Sequence, residues 1–213
     1  TANGEGPMVT AHPHSAVAES YRVLRTNLQF GTLPAGEGPV VILVTSAAPQ
    51  EGKTTTLANL GVSLAQIGKR VILVDTDLRR PTLHKHFHLT GETGLTSLLL
   101  ARGRDPETVL RETGVPSLRV VAAGPIPANP AEVLSLPETA HVLERLKERA
   151  DYVLLDSPPV LSVADAGILA QRADGVLLVT EEGRTRTGAL QRAVAALQKV
   201  KARLLGVALN KAR

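Results

Sequence analysis

The 213-residue chain contains no cysteine, and its aromatic side chains are limited to two tyrosines and two phenylalanines. Without thiols it can build neither a disulfide framework nor a thiolate metal site, and its redox compartment goes unmarked. Long apolar runs are also missing: none approaches the ~18 residues of a membrane span, and no signal-peptide pattern opens the sequence. The residues as given are therefore expected to be soluble. Charge of one sign is not in large excess either, because 24 Lys and Arg stand against 20 Asp and Glu, a net of +4. That balance is common in soluble enzymes, and no nucleic-acid partner is expected from it.

What the chain does have is 43% hydrophobic residues over 213 positions, enough for one sizeable core and short for two. One domain is expected, spanning residues 15–213. Residues 1–14 are rich in Gly, Pro and His and begin at Thr1, so they read as a linker or cloning remnant with sequence once in front of it. Short apolar, β-rich runs recur at 40–44, 71–74, 118–121, 152–155, 176–179 and 204–209, mostly separated by helical patterns. Continuous apolar strands alternating with helices predict an α/β fold in three layers, a mostly parallel central sheet flanked by helices on both faces. The stretch from Gly91 to Pro137, punctuated by Gly and Pro, is expected to be an elaborated crossover holding short helices.

The most informative segment is the run from Ser46 to Thr55, which lies between the apolar run at 40–44 and a helical pattern beginning near Leu57. Strand, loop and helix in that order form a phosphate-binding loop. In the loop Pro49-Gln50-Glu51-Gly52-Lys53-Thr54-Thr55, successive main-chain N–H groups from Gln50 onward would line a concave nest, and the helix adds the positive end of its dipole. Lys53 supplies a mobile cation to the outer phosphates, and Thr54 offers a hydroxyl to a magnesium ion. Only Gly52, Lys53 and Thr54 match the general phosphate-loop pattern, since Ala47 stands where its first glycine would be. A nucleoside triphosphate and Mg2+ are expected here, on a P-loop NTPase fold.

Two acidic motifs at strand ends support this. The strand at 71–74 runs into Asp75-Thr-Asp77-Leu-Arg79-Arg80-Pro81. If strand geometry persists, both carboxylates share a face about 6.6 Å apart at Cα, one near a metal and the other near an attacking hydroxyl. The strand at 152–155 ends in Asp156-Ser157-Pro158-Pro159, and an Asp there is placed to hold magnesium through its water shell. Ligands of open α/β sheets gather at these carboxyl ends.

With these motifs in place the sequence resembles the bacterial tyrosine kinases (BY-kinases) of capsule and exopolysaccharide synthesis, from about Ser15 to Asn210. The resemblance rests on Pro49-x-Glu51-Gly52-Lys53, Asp75-x-Asp77-x-Arg79-Arg80-Pro81, Asp156-Ser-Pro-Pro159, Gly124-Pro-Ile-Pro-Ala-Asn129-Pro130-Ala-Glu132, and Glu19-x-x-Arg22-x-x-Arg25. It implies an ATP- and magnesium-dependent protein-tyrosine kinase. Its catalytic residues would be Lys53, Asp75, Asp77 and Asp156, with magnesium near Thr54, Asp75 and Asp156. Which of Asp75 and Asp77 favours deprotonation of the tyrosine hydroxyl stays open. Asn210 matches the position that often reads adenine.

The resemblance further implies a cytoplasmic location at the inner face of the cell membrane, beside a membrane-embedded polysaccharide co-polymerase or activator. The substrate would be a tyrosine-containing protein. The family commonly ends in a tyrosine cluster that is autophosphorylated, whereas this chain has only Tyr21 and Tyr152, so the acceptor is a tail absent from it or lies elsewhere. A second departure is Gln50, where the family usually has glycine. If the backbone there needs positive φ, a side chain costs on the order of 1–2 kcal/mol.

The helical pattern from Ser15 to Phe30 places Val17, Tyr21, Leu24 and Leu28 on a stripe expected to pack on the domain. Glu19, Arg22 and Arg25, with Val23 and Phe30, occupy another arc, which composition alone reads as a solvated charged face. The resemblance reads it as the subunit contact of a ring-shaped homo-oligomer. The nearest rival is a partition ATPase of the ParA and MinD type, which usually carries an extra lysine five residues before the loop lysine, where this chain has Ala48. A third reading is an ATP-binding assembly module without phosphotransfer. His84, His86 and His88 would share a face only on a true strand, and a structural role is expected of His84 and Phe87.

Overall fold

The computed structural model describes residues 6–32, 38–101 and 103–212. Its centre is a seven-stranded sheet: β1 (Val40–Ser46), β2 (Val71–Asp75), β3 (Leu110–Glu112), β4 (Leu118–Val121), β5 (Tyr152–Asp156), β6 (Gly175–Glu181) and β7 (Leu204–Asn210). Spatial order is β3-β4-β2-β5-β1-β6-β7. All pairings are parallel except β3 with β4. The six expected strands are present, and the seventh, β3, is a three-residue edge strand. Edge position suits it, since its exposed Glu112 would have no place in a doubly covered sheet.

The helices are α1 (Met8–Ala11), α2 (Ala16–Asn27), α3 (Lys53–Ala65), α4 (Leu83–His86), α5 (Leu95–Leu100), α6 (Pro130–Ser135), α7 (Pro137–Lys147), α8 (Asp165–Ala170) and α9 (Thr187–Lys199). A π-helical turn, Leu28–Thr32, continues α2, and a 3-10 turn, Pro106–Thr108, precedes β3. The five strands between the edges bury both faces, and alternate residues sort into two cores. Val41, Leu43, Ile72, Val74, Val153 and Leu155 face α5 to α8. Ile42, Val44, Val71, Leu73 and Leu154 face α1 to α4, where α3 lies between the sheet and α2 and is buried from Thr56 to Ala65. The three expected layers follow directly from this period of two.

Two expectations for the N-terminus need correction. Residues 1–5 of the expected linker lie outside the described residues, but 7–14 are not a free linker. Val9 is fully buried, and its N–H donates to Asn59 Oδ1 on α3 at 2.9 Å, so α1 is packed into the domain. On α2, Ser15 caps the start by accepting from Ala18 N at 3.1 Å. Tyr21, Leu24 and Leu28 pack against the α3 core as expected, but Val17 is 46% exposed, because the inward position in the first turn is taken by Ala18. Of the polar arc, Glu19 and Arg22 pair with each other at 2.8 Å on the surface. Arg25 behaves differently: its Nη1 donates to Ser63 O and Oγ at 2.9 and 3.3 Å, which ties it to α3.

That difference separates assembly from stability. Arg25→Ala alone is expected to cost stability on the order of 1–3 kcal/mol through its lost bonds to Ser63. Glu19→Ala with Arg22→Ala, which removes the surface pair and the bond from Arg22 Nη2 to Pro13 O at 2.6 Å, should leave the melting temperature within a few degrees and act mainly on association. Light scattering beside thermal unfolding checks both. A parent that remains monomeric at every concentration, with and without ATP, would leave the exposed Val23 and Phe30, at 53% and 87% exposure, without an assembly role.

Candidate active site

Strand order brings the motifs together. β1 lies between β5 and β6, and β2 lies on the far side of β5. The register pairs Val44 with Asp156 and Asp156 with Asp75. The loop leaving β1 therefore ends beside both strand-end carboxylates, at the carboxyl edge of the sheet where ligands of such folds bind.

Lys53 opens α3, and its ammonium lies 3.3 Å from Asp77 Oδ2 and 3.7 Å from Asp156 Oδ1. Burial disfavours the charge on Lys53, but Asp156 and Asp77 more than offset it and hold the ammonium above its usual range. Thr54 Oγ1 donates to Asp156 Oδ2 at 2.7 Å. Asp156 is completely buried, and burial raises its carboxyl despite Lys53. Its Oδ1 has no hydrogen-bond partner among the described residues.

Asp75 and Asp77 part company because the strand stops at Asp75. Asp75 Oδ2 accepts from the N–H groups of Thr82 and Leu83 at 3.1 and 3.0 Å, at the start of α4, and Oδ1 accepts from Asp77 N at 3.3 Å. Burial first, then the charge of Asp156, raises its carboxyl. Asp77 sits one turn further along, accepting from Arg80 N at 3.1 Å while its other oxygen faces Lys53. The shared-face expectation thus does not hold; one carboxylate is enclosed by main chain and the other reaches the loop lysine.

The loop itself takes the strained path that the glycine departure raised. Gln50 has φ of 65° and Gly52 of 87°. Only glycine fits at 52, where an added Cβ would stand 2.0 Å from Asn210 Nδ2. Asn210, at the end of β7, donates from that nitrogen to Glu51 O at 3.1 Å. Its Oδ1 accepts from Lys211 N at 3.0 Å, so both ends of the amide are occupied within the chain. Pro49 and Gln50 are exposed, Glu51 and Thr54 buried, and Lys53 and Thr55 intermediate.

Two partnerships escaped sequence reading. Arg79 forms a forked ion pair with the buried Asp165 at the start of α8, at 2.9 and 3.0 Å, linking the loop after β2 to the segment after β5. The β6–α9 loop also braces the phosphate loop through Arg184, which donates to Gln50 O and Oε1 at 3.3 Å. Sequence separations of 86 and 134 residues leave no local pattern to reveal either. His84 and His86 lie on the single turn of α4 rather than on a strand, so their rings do not converge.

Among the described residues no three acidic or histidine side chains form a ready-made metal cage. Magnesium does not need one, since it keeps several waters and takes one or two carboxylates beside substrate phosphates. Asp156 Oδ1, which accepts no hydrogen bond and lies 3.7 Å from the Lys53 ammonium, fits that donor set together with the Thr54 hydroxyl. Asp75 and Asp156, each raised by burial, are also carboxyls that a nearby divalent cation would ionise.

Comparison with known proteins agrees with the geometry. Residues 41–210 match the AAA domain family. The tyrosine-protein kinase YwqD of Bacillus subtilis (strain 168) is 43% identical over 93% of this chain and 82% of its own length. The putative tyrosine-protein kinase EpsB of Ralstonia solanacearum is 40% identical over 93% of this chain, which spans only 26% of that longer protein. The kinase domain of the Escherichia coli tyrosine kinase ETK superposes with a TM-score of 0.90 at 28% identity, covering 96% of this chain and 79% of that one. The cell division ATPase MinD of Pyrococcus furiosus is more distant, with a TM-score of 0.68 at 25% identity, covering 80% and 71%. By sequence and fold together, the chain belongs to the family of bacterial tyrosine-protein kinases.

Proposed function

We propose that the chain is an ATP- and magnesium-dependent protein-tyrosine kinase domain that transfers the γ-phosphate to a tyrosine outside these 213 residues. The observation that carries this reading is the meeting of Lys53, Thr54, Asp77 and Asp156 at the ends of three adjacent strands, where one buried Asp156 oxygen faces the Lys53 ammonium but accepts no hydrogen bond. Thr54 and Asp156 would hold the magnesium, with Asp75 behind them as a second carboxylate. Bound there, the ion supplies positive charge to the phosphates.

The chain's own groups do the rest by placement, because phosphoryl transfer asks for positioning and charge neutralisation more than covalent chemistry. Main-chain N–H groups from Gln50 to Thr55 cradle the phosphates, with Pro49 shaping the entry to the loop. Lys53 neutralises charge as it builds on the transferred group. Asp77, the less enclosed of the acidic pair, accepts the tyrosine proton, while Asp75 keeps the start of α4 in place. Asn210, resting on Glu51 and Gly52, borders the place of the adenine.

The partners follow the same reading: a second copy through Glu19 and Arg22, and a membrane-embedded activator of polysaccharide export. No helix among the described residues is long and apolar enough to cross a membrane. Acceptor choice is a direct test. Tyr152 is 9% exposed inside β5, and Tyr21 is half-buried against the α3 core. The isolated chain is expected to bind Mg-ATP yet incorporate less than about one-tenth of a phosphate per chain, with transfer appearing once a tyrosine-rich tail is appended. Phosphopeptide mass spectrometry reads this out, and strong labelling of Tyr21 or Tyr152 would contradict it.

A further inference from the structure

The arc from Ala47 to Glu51 contains no internal main-chain hydrogen bond among the described residues. Side chains close it from both ends: Ser46 Oγ donates to Ala48 O at 2.8 Å, and Glu51 turns back under the loop so that its Oε2 accepts from Ala48 N at 2.8 Å. Glu51 is only 1% exposed, so this carboxylate needs every lone pair answered. Its other oxygen, Oε1, accepts from the hydroxyl of Thr185 on the β6–α9 loop. Thr185 is itself fixed, since Oγ1 accepts from Glu181 N at 2.9 Å and its own N–H donates to Glu181 O at 3.0 Å.

We propose that Thr185, acting through the buried carboxylate of Glu51, is a positioning residue that holds the phosphate loop in its nucleotide-ready shape. The inference rests on reading this loop as the ATP site. Thr185 touches no reacting atom and works by keeping Glu51 folded under the arc. Remove the hydroxyl, and a buried carboxylate oxygen loses its donor. The cheapest relief is for Glu51 to swing toward water, which frees Ala48 N and opens the arc. The positive φ at Gln50 and Gly52 then has less to maintain it, with the bonds from Ser46, Arg184 and Asn210 still on the loop. Nucleotide must restore the closed shape at each binding event, so affinity falls in proportion to the lost closed fraction. Chemistry in the filled site is unchanged.

The test compares Thr185→Val, Thr185→Ser and the parent. Thr185→Val is expected to raise the Kd for Mg-ATP, by calorimetry, and the KM for ATP together by about tenfold, with kcat at saturating ATP within about twofold. Thr185→Ser, which keeps the hydroxyl, should return both to within about threefold of the parent. A Thr185→Val protein that melts earlier but binds Mg-ATP like the parent would overturn the proposal, because a merely structural threonine predicts that pattern. If the valine protein does not fold, Thr185→Ala removes the same hydroxyl without placing a methyl against Glu51. Amide exchange in the nucleotide-free parent gives a third readout. Protection of Ala48 N–H supports the closed arc, and exchange at the rate of an open loop overturns it. A parent that fails to bind Mg-ATP while Ala48 stays protected would instead sink the functional reading.

Discussion

Lys53→Met is expected to reduce phosphotransfer by about three orders of magnitude while leaving the fold in place. The ammonium is the one cation that the structure aims from the loop at both Asp77 and Asp156, and methionine matches its length without its charge. Two buried carboxylates then face each other without a counter-charge. The site would relieve this by taking up protons or magnesium, so the variant should need more magnesium for the nucleotide binding it retains. Calorimetry with Mg-ATP, alongside circular dichroism to confirm the fold, measures this. Unchanged affinity together with unchanged turnover would remove Lys53 from the site.

The second large effect is expected at the acidic pair, and it should split. Asp77→Asn removes the proton acceptor beside Lys53 and should lower turnover by about 10²–10⁴-fold at every magnesium concentration. Asp75→Asn should lower turnover too, but with a raised magnesium requirement, since Asp75 lies next to Asp156 in the sheet and contributes negative charge there. It should also melt earlier than Asp77→Asn, because Asp75 is the acceptor for Thr82 N and Leu83 N at the start of α4. Magnesium titrations of activity on both variants separate the roles. If neither substitution slows transfer, the strand-end carboxylates are only structural.

The sequence made the sheet legible because buried parallel strands are written as uninterrupted apolar runs, and six of these sit where the pattern placed them. It missed β3, whose Leu-Arg-Glu is too short and too polar to register, and α1, whose burial depends on Asn59 some fifty residues away. Val17 was misplaced by a simple wheel because the smaller Ala18 fits the close approach of α2 to α3. In the site, the meeting of Lys53, Thr54, Asp77 and Asp156 was readable since Lys53 and Thr54 open a helix, Asp156 closes a strand and Asp77 follows one by two residues, each in a motif with a chemical reason. The divergent directions of Asp75 and Asp77 were not, because they follow from where β2 stops and where α4 starts. The brace from Arg184 and Thr185 was likewise invisible, being set by β6 and β1 lying side by side.

The central claim is that the γ-phosphate goes to tyrosine, and the direct measurement is its partition between tyrosine and water. The chain is incubated with ATP labelled at the γ-phosphate, magnesium and an exogenous tyrosine peptide, in the presence of the cognate membrane activator. Phosphotyrosine and free phosphate are then quantified over time. The account predicts label on the peptide tyrosine, lost in Lys53→Met and Asp77→Asn. Release of inorganic phosphate with no label on tyrosine in any mixture would contradict it and place the chain with the MinD-type ATPases, whose fold it shares.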